Sequence, residues 1–384
     1  MKIGFFVYAM NLRGVANSIF KYAYYNQTIL KNKSYIIYDK SNKLHQKNVI
    51  KKFKKNFITI DLKNIKDINN ITYKIKLDIL YSQIGYFSDY DLPKNISLVH
   101  LIFPQPFYKF KKNFFFYVSK WLSKECSNNK IPYLPLIIDS PKSKSSLRKQ
   151  LKIRSDSIVF GCHGGSDSFD IPFVKFVILK ILKIRKDIFF LFLNIDNFAN
   201  HPNILYFKGT INDEYKFKFI NTCDAMLHAR TLGESFGISC AEFAVRNKPI
   251  FTYKFSRDRA HIDILKKKIF LYSSEKSLFN LINKFNKNNF KNFITANHYK
   301  DFTPKKIMKK FEKLYINKNL NYEINLKDYL IVFFYQMRRI YYYIRHKIYY
   351  HYFNFFRLNN LISIFLKNYL KKFKKNIVLS KYTI

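Results

Sequence analysis

The feature that most constrains this chain is an alternation through roughly its first 300 residues. Strand-length apolar runs are each followed by a longer stretch of helical periodicity. The predicted strands are 3–8, 34–38, 57–60, 79–82 and 98–103, then 158–160, 188–194, 204–207, 225–227, 249–253 and 269–272. Strands separated by helices pair in parallel through crossovers, so helices must cover both faces of the sheet. The segment with Tyr117 and Trp121 reads as the last strand of the first set running into a helix. Ile131-Pro132-Tyr133-Leu134-Pro135 and Pro141 then break regularity, and a polar stretch runs to about Asp156. The chain therefore divides into residues 1–145, 146–320 and a tail, 321–384; a length of 384 residues suits two domains with ample cores.

Each half opens on a βα unit. In the first, a loop with Asn11, Arg13 and Gly14 leads into a helix reaching about Leu30, with Ile19, Phe20 and Ala23 on one face. No Gly-x-Gly-x-x-Gly is present. In the second, Gly161-Cys162-His163-Gly164-Gly165-Ser166 leads toward a helix near Ile171, a turn suited to phosphate. Helices over 276–285 and 304–315 close the second domain.

One stretch carries the densest chemistry, from Cys223 to Phe243. It predicts a short strand, a polar loop, and a helix opening near Ser235 and Phe236. Unpaired amides at a helix start form a site for phosphate, and Gly233 and Gly237 permit close backbone approach. Glu234 and Glu242 are two of only seven glutamates in the chain, so their pairing asks for a reason. Within one helix they would stand about 80° apart; with Glu234 in the loop, both can face one pocket. Carboxylates accept hydrogen bonds from vicinal hydroxyls. An anion site flanked by two of them suits a ligand that is part diphosphate and part polyol, such as a nucleotide-sugar.

The Glu234-x7-Glu242 stretch resembles the signature of retaining glycosyltransferases of the GT-B fold, in particular the GT4 family. The resemblance implies two Rossmann-like doubly wound domains facing a cleft. It implies Glu234 by the donor sugar, Glu242 at the nucleotide ribose, and amides near Phe236 and Gly237 at phosphate or sugar. Arg13 and Gly14, in the first loop, become donor or acceptor contacts. His100, late in the first domain, matches by position a histidine that reaches the donor sugar. The chain departs from the family at the second βα turn. GT4 enzymes place an Arg at that strand end and a Lys a few residues on; here stand His163, Gly164, Gly165 and Ser166. Arg230 is the first candidate to replace them at the diphosphate. The resemblance implies no metal and no cofactor beyond the nucleotide-sugar substrate, and a glycan or lipid-linked acceptor.

Two rival readings remain. Asp89-Tyr90-Asp91 could hold a divalent cation and a diphosphate, as in GT-A transferases. Alternatively, a degenerate GT-B protein could bind RNA or anionic membrane through basic residues interleaved with aromatics. No recognisable RNA-binding motif supports the RNA branch, and no nucleic-acid partner is expected. The net charge of +44 comes mostly from lysine in an Asn-, Ile-, Phe- and Tyr-rich chain, a bias that composition alone can impose. Cys126, Cys162, Cys223 and Cys240 form no Cys-x-x-Cys, which predicts free thiols. No signal peptide is read at Met1, and no uncharged run reaches the about 20 residues of a spanning helix. A cytoplasmic protein is expected, peripheral on the inner face of the membrane. From Lys327 on, the tail carries twelve Lys or Arg against one acid, Asp328, with no Gly or Pro and many Tyr and Phe. Residues 327–375 thus suit an interfacial helix on anionic lipid or a helical extension packed on the protein.

Overall fold

The computed structural model describes residues 1–84, 92–93, 96–107, 114–266, 269–290, 298–316, 324–345 and 347–348. The chain forms two compact units, Met1–Arg339 and Ile340–Ile384. Asp89, Asp91 and the tail beyond 348 lie outside the described residues. In the second unit, residues 340–345 are helical and expose Ile340, Tyr341, Tyr343 and Ile344.

The first unit holds two six-stranded sheets, every pairing parallel. Its first half runs β1 (Lys2–Phe6), α1 (Gly14–Thr28), β2 (Lys33–Asp39), α2 (Lys47–Asn56), β3 (Ile58–Leu62), α3 (Ile68–Ile75), β4 (Ile79–Ile84), β5 (Ser97–Leu101), β6 (Phe114–Tyr117) and α4 (Lys120–Ser127). The second half runs β7 (Ile158–His163), α5 (Pro172–Ile184), β8 (Ile188–Leu193), β9 (Ile204–Phe207), α6 (Asp213–Thr222), β10 (Ala225–His228), β11 (Gly233–Glu234), α7 (Ile238–Ala244), β12 (Ile250–Tyr253), β13 (Asp258–Arg259), α8 (Ala260–Leu265), β14 (Ile269–Tyr272) and α9 (Glu275–Asn283). α10 (Pro304–Ile316) and a helix, α11, beginning at 326 carry the unit to Arg339.

The strand orders are β3-β2-β1-β4-β5-β6 and β14-β12-β10-β7-β8-β9. Renumbered within its own half, the second order is the first read backwards. Both sheets are therefore doubly wound, and each reverses direction between its first and fourth strands, β1/β4 and β7/β10. Such a reversal leaves a crevice at the carboxyl ends of the strands. β1, β4, β5, β7 and β8 are buried along nearly their whole length, as near-continuous apolar runs require when helices cover both faces.

Aromatic side chains fill both cores. Phe160 of β7 packs against Phe190, Phe251 and Phe285 at ring separations of 5.6, 5.3 and 5.2 Å. Such a ring is the point of greatest sensitivity, since Phe→Ala in a packed core costs about 3–5 kcal/mol. α10 follows the second half in sequence but packs on the first, a crossing back that the resemblance to the GT-B fold also implies. Its Phe311 lies 5.5 Å from Tyr22 of α1 and 5.4 Å from Tyr81 of β4, and Tyr315 meets Asn32. The chain thus crosses back, because the apolar stripe Ile307, Met308, Phe311 and Tyr315 finds its partner surface on the first sheet.

Candidate active site

The loops after β1, β7 and β10 converge on a cleft of about 280 Å³. Asn11, Arg13, Gly14 and Phe20 line it from the first half. His163, Gly164, Lys216, Arg230, Glu234 and Glu242 line it from the second. Two carboxylate clusters stand at the second reversal point.

The first cluster is built on Glu242, which α7 holds 1% exposed. Its Oε1 is 2.5 Å from Lys216 Nζ, and Lys216 also meets Asp213 at 2.9 Å. Its Oε2 is 3.0 Å from His163 Nε2 at the end of β7, though out of line for a hydrogen bond. Each of those two atoms therefore keeps capacity for a polar partner. Burial drives the Glu242 carboxyl up, but Lys216 and then His163 outweigh it and hold it below the usual carboxylate range. Burial likewise lowers Lys216, and Glu242 with Asp213 more than restores it, keeping the ammonium charged. Lys52 of α2 donates to the Ile211 carbonyl across the cleft at 3.1 Å. Lys21 of α1 adds positive potential at Asp213 and Glu242.

The second cluster is built on Glu234. Its Oε1 accepts from Arg230 Nη1 at 3.0 Å and lies 3.3 Å from His228 Nε2. His228 Nδ1 is 2.8 Å from the Thr252 hydroxyl, which is 3.0 Å from His261 Nε2. One tautomer assignment satisfies the run: His261 Nε2–H donates to Thr252, Thr252 O–H to His228 Nδ1, and His228 Nε2–H to Glu234. Burial, then His228, pushes His261 down to about 3, consistent with a neutral ring. Burial raises the Glu234 carboxyl, but Arg230 and His228 reverse this and keep it ionised.

Local backbone geometry sets where these side chains sit. Gly233 and Gly237 have φ of +66° and +85°, and a Cβ on Gly233 would meet the Asp258 carbonyl oxygen at 2.0 Å. Gly233 and Glu234 pair with Asp258 and Arg259 as a two-residue parallel ladder. A helix opening near Ser235 and Phe236 is therefore corrected: α7 begins at Ile238, because Gly233 and Glu234 are held in the ladder, Ser235 and Phe236 form a bend, and Gly237 is left-handed. Phe236 is among the residues that line the cleft, and its ring is buried 5.7 Å from Tyr299 and 5.4 Å from Phe302.

The other predicted residues divide. Gly164 and Gly165 line the cleft, held by Asn194 Nδ2 on the Gly164 carbonyl at 2.6 Å and by Ser168 on that of Gly165. Gly14 opens α1 at the cleft wall. Arg13 reaches over the cleft to Asp167 at 3.4 Å, both exposed. His100 is away from the cleft. It is the last residue but one of β5, fully buried, with Nδ1 2.7 Å from the Tyr81 hydroxyl and its ring 4.7 Å from Phe116. Burial pushes it down to about 3. The reason is its surroundings: Tyr22, Tyr81 and Phe116 enclose the ring in the aromatic core, although Gln83, its register partner on β4, lines the cleft. Lys216, Lys52 and Lys21 were not singled out from the sequence. Among 69 Lys and Arg no local pattern marks them.

No protein-family model matches the sequence, and no curated protein matches it. Solved structures do match. HepE of Anabaena in complex with UDP-glucose has a TM-score of 0.62 at 12% identity, over 82% of this chain and 99% of that one. A glycosyltransferase from Rickettsia africae has 0.56 at 16%, over 88% and 98%. WaaG, a glycosyltransferase involved in lipopolysaccharide biosynthesis, has 0.55 at 11%, over 82% and 99%. The chain has the GT-B fold. In this GT-B protein the second reversal point, where Glu234 and Glu242 stand, is the charged wall of the cleft, and the loop carrying Arg13 and Gly14 lies opposite.

Proposed function

We propose that this GT-B protein is a retaining glycosyltransferase that moves a sugar from a nucleotide-sugar to a glycan or lipid-linked acceptor. The observation that carries the reading is the pair of buried, ionised carboxylates at one reversal point, each held by its own cations. Glu242 Oε2 and His163 Nε2, neither aligned to the other, offer an acceptor and a ring nitrogen to a ribose. Lys216, Lys52 and Arg230 are the cations that stand where the diphosphate would leave, in place of the family's Arg and Lys. Charges fixed before the reaction stabilise a departing diphosphate at little reorganisation cost. Glu234, oriented by Arg230 and His228, faces the sugar hydroxyls and holds the donor for same-face attack. The chemistry needs no metal in this reading. HepE and MnaA of S. aureus were each solved with UDP, which makes UDP-sugars the first donors to try.

The test is thermal stabilisation and product analysis with UDP-, GDP-, ADP- and CMP-sugars, for wild type and Glu242→Ala, with and without EDTA. Stabilisation by one nucleotide, insensitive to EDTA and lost in the variant, with sugar transferred at retained anomeric configuration, is the expected result. Absence of any shift would sink the reading in favour of a protein that kept the fold and lost the chemistry. The location proposed is the cytoplasmic face of a membrane. Among the described residues no helix is long and apolar enough to cross one.

A further inference from the structure

We infer that the outer face of α11 is a docking surface for an anionic lipid bilayer. α11 is seated firmly on the first unit. Asn325 caps it, with reciprocal Asn325–Asp328 hydrogen bonds at 3.1 Å. Asp328 accepts from Asn128 at 2.8 Å, Val332 is fully buried, and Arg338 grips both Glu125 oxygens at 2.5 Å. Arg339 lies 3.4 Å from Asp258, in the strand that pairs with β11 and its Glu234. One face of the helix is therefore fixed against the protein.

The opposite face shows an apolar stripe to solvent. Leu326, Leu330, Phe333, Phe334 and Met337 recur at i, i+4, i+7, i+8 and i+11, all exposed, Leu326 at 76% and Phe334 at 67%, while Tyr329 at their edge packs its ring against Phe107 at 4.8 Å. A seated helix ordinarily keeps such a stripe for its core, and a stripe left outside marks an interaction site. Charge selects the occupant. The acids of α4 and of α11 through Arg339, Glu125 and Asp328, are both buried and paired. The exposed unpaired charges on these elements, Lys120, Lys124 and Lys327, are cationic; Arg338 is taken up by Glu125, and Asp263 of the adjoining α8 lies near Lys124 and Arg338. A second copy docking here by two-fold symmetry would set these cations against their own counterparts. A surface of acidic headgroups meets them with opposite charge while the aromatic and aliphatic side chains enter the acyl boundary.

The inference stands on α11 and not on the transferase reading, which would survive its failure. The experiment is co-sedimentation of the full chain with vesicles of phosphatidylcholine alone and with a quarter phosphatidylglycerol, at low and high salt. Binding is expected to the anionic vesicles, to weaken with salt, and to fall at least about tenfold in Phe333→Asp/Phe334→Asp. An unchanged melting temperature shows that the variant still folds, and Leu330→Asp supplies a second substitution on the same stripe. Full binding by both variants overturns the proposal and moves lipid contact to other residues. A concentration-dependent dimer in light scattering that the double variant converts to monomer, without vesicle binding by wild type, also overturns it and assigns the face to a second copy.

Discussion

The two sheets share one topology, yet their reversal points carry opposite chemistry. At β1/β4 the side chains are amide, hydroxyl and aromatic: Gln83 donates to Ser18 and to Tyr81, each at 2.8 Å, inside the protein. At β7/β10 stand His163, His228, Arg230, Glu234, Glu242 and Lys216. The fold provides two similar crevices, and side chains at strand ends make one of them a candidate for diphosphate and sugar. Architecture alone therefore does not assign the site. The contrast is clearest in the histidines. His100 lies within β5 among Tyr22, Tyr81 and Phe116, whereas His228 is the last residue of β10 and faces Glu234.

Substitutions on the two sides should separate. Glu242→Ala has the largest expected effect, leaving Lys216 buried with only Asp213. Denaturant melts should show a loss of about 3–5 kcal/mol, and nucleotide binding should disappear; a melt within about 1 kcal/mol of wild type would contradict the buried pair. Glu234→Gln should lower turnover about 100-fold or more, with nucleotide affinity nearly unchanged by calorimetry. Equal loss of affinity and turnover would move Glu234 from the sugar to the nucleotide.

His100, in the core of the first half, should answer in stability alone. The His100 imidazole, near 6.5 when unfolded, is pushed down to about 3 in the folded protein. Between those values the unfolded chain binds the extra proton. Stability is therefore full above about pH 6.5 and declines as pH falls toward 3, by about 1.4 kcal/mol per unit for this one group. His261, also pushed down to about 3, adds a similar slope. His100→Phe should flatten part of that decline in melts across pH 4–7 while leaving transfer intact. Loss of transfer without loss of stability would return His100 to the site.

Smaller effects test the orienting groups. Thr252→Val removes the hydroxyl between His228 and His261, and turnover should fall about tenfold, with KM nearly constant. Arg13→Gln should alter melting by less than about 0.5 kcal/mol, since its ion pair with Asp167 is exposed. If Arg13 meets ligand, the variant should raise KM severalfold; an unchanged KM would leave it a surface pair.

Much of the fold was legible because period and punctuation are local signals. The strands at 204–207 and 269–272 match the expected residues, and most others differ only at their ends. The Glu234 and Glu242 pair stood out because glutamate is scarce here, and Gly233 and Gly237 because turns of positive φ favour glycine. Lysine carried no such signal. Lys216 meets Glu242 across 26 residues and Lys52 meets the Ile211 carbonyl across 159, contacts that no spacing rule reaches. The start of α7 was misplaced for the same reason, since its limit is a pairing with Asp258 and Arg259.

Sequence by itself determined two parallel, helix-covered sheets, a loop that must turn at two glycines, and a pair of glutamates close enough to share a cleft. These follow from hydrophobic period, backbone sterics and residue scarcity, all read within short windows. Only the tertiary structure decided that Lys216 and His163 hold Glu242, that Arg230 and the histidine run hold Glu234, and that His100 belongs to the core. Those outcomes depend on which strand ends, helix faces and loops meet once the sheets close, and on how burial changes the cost of a charge when they do.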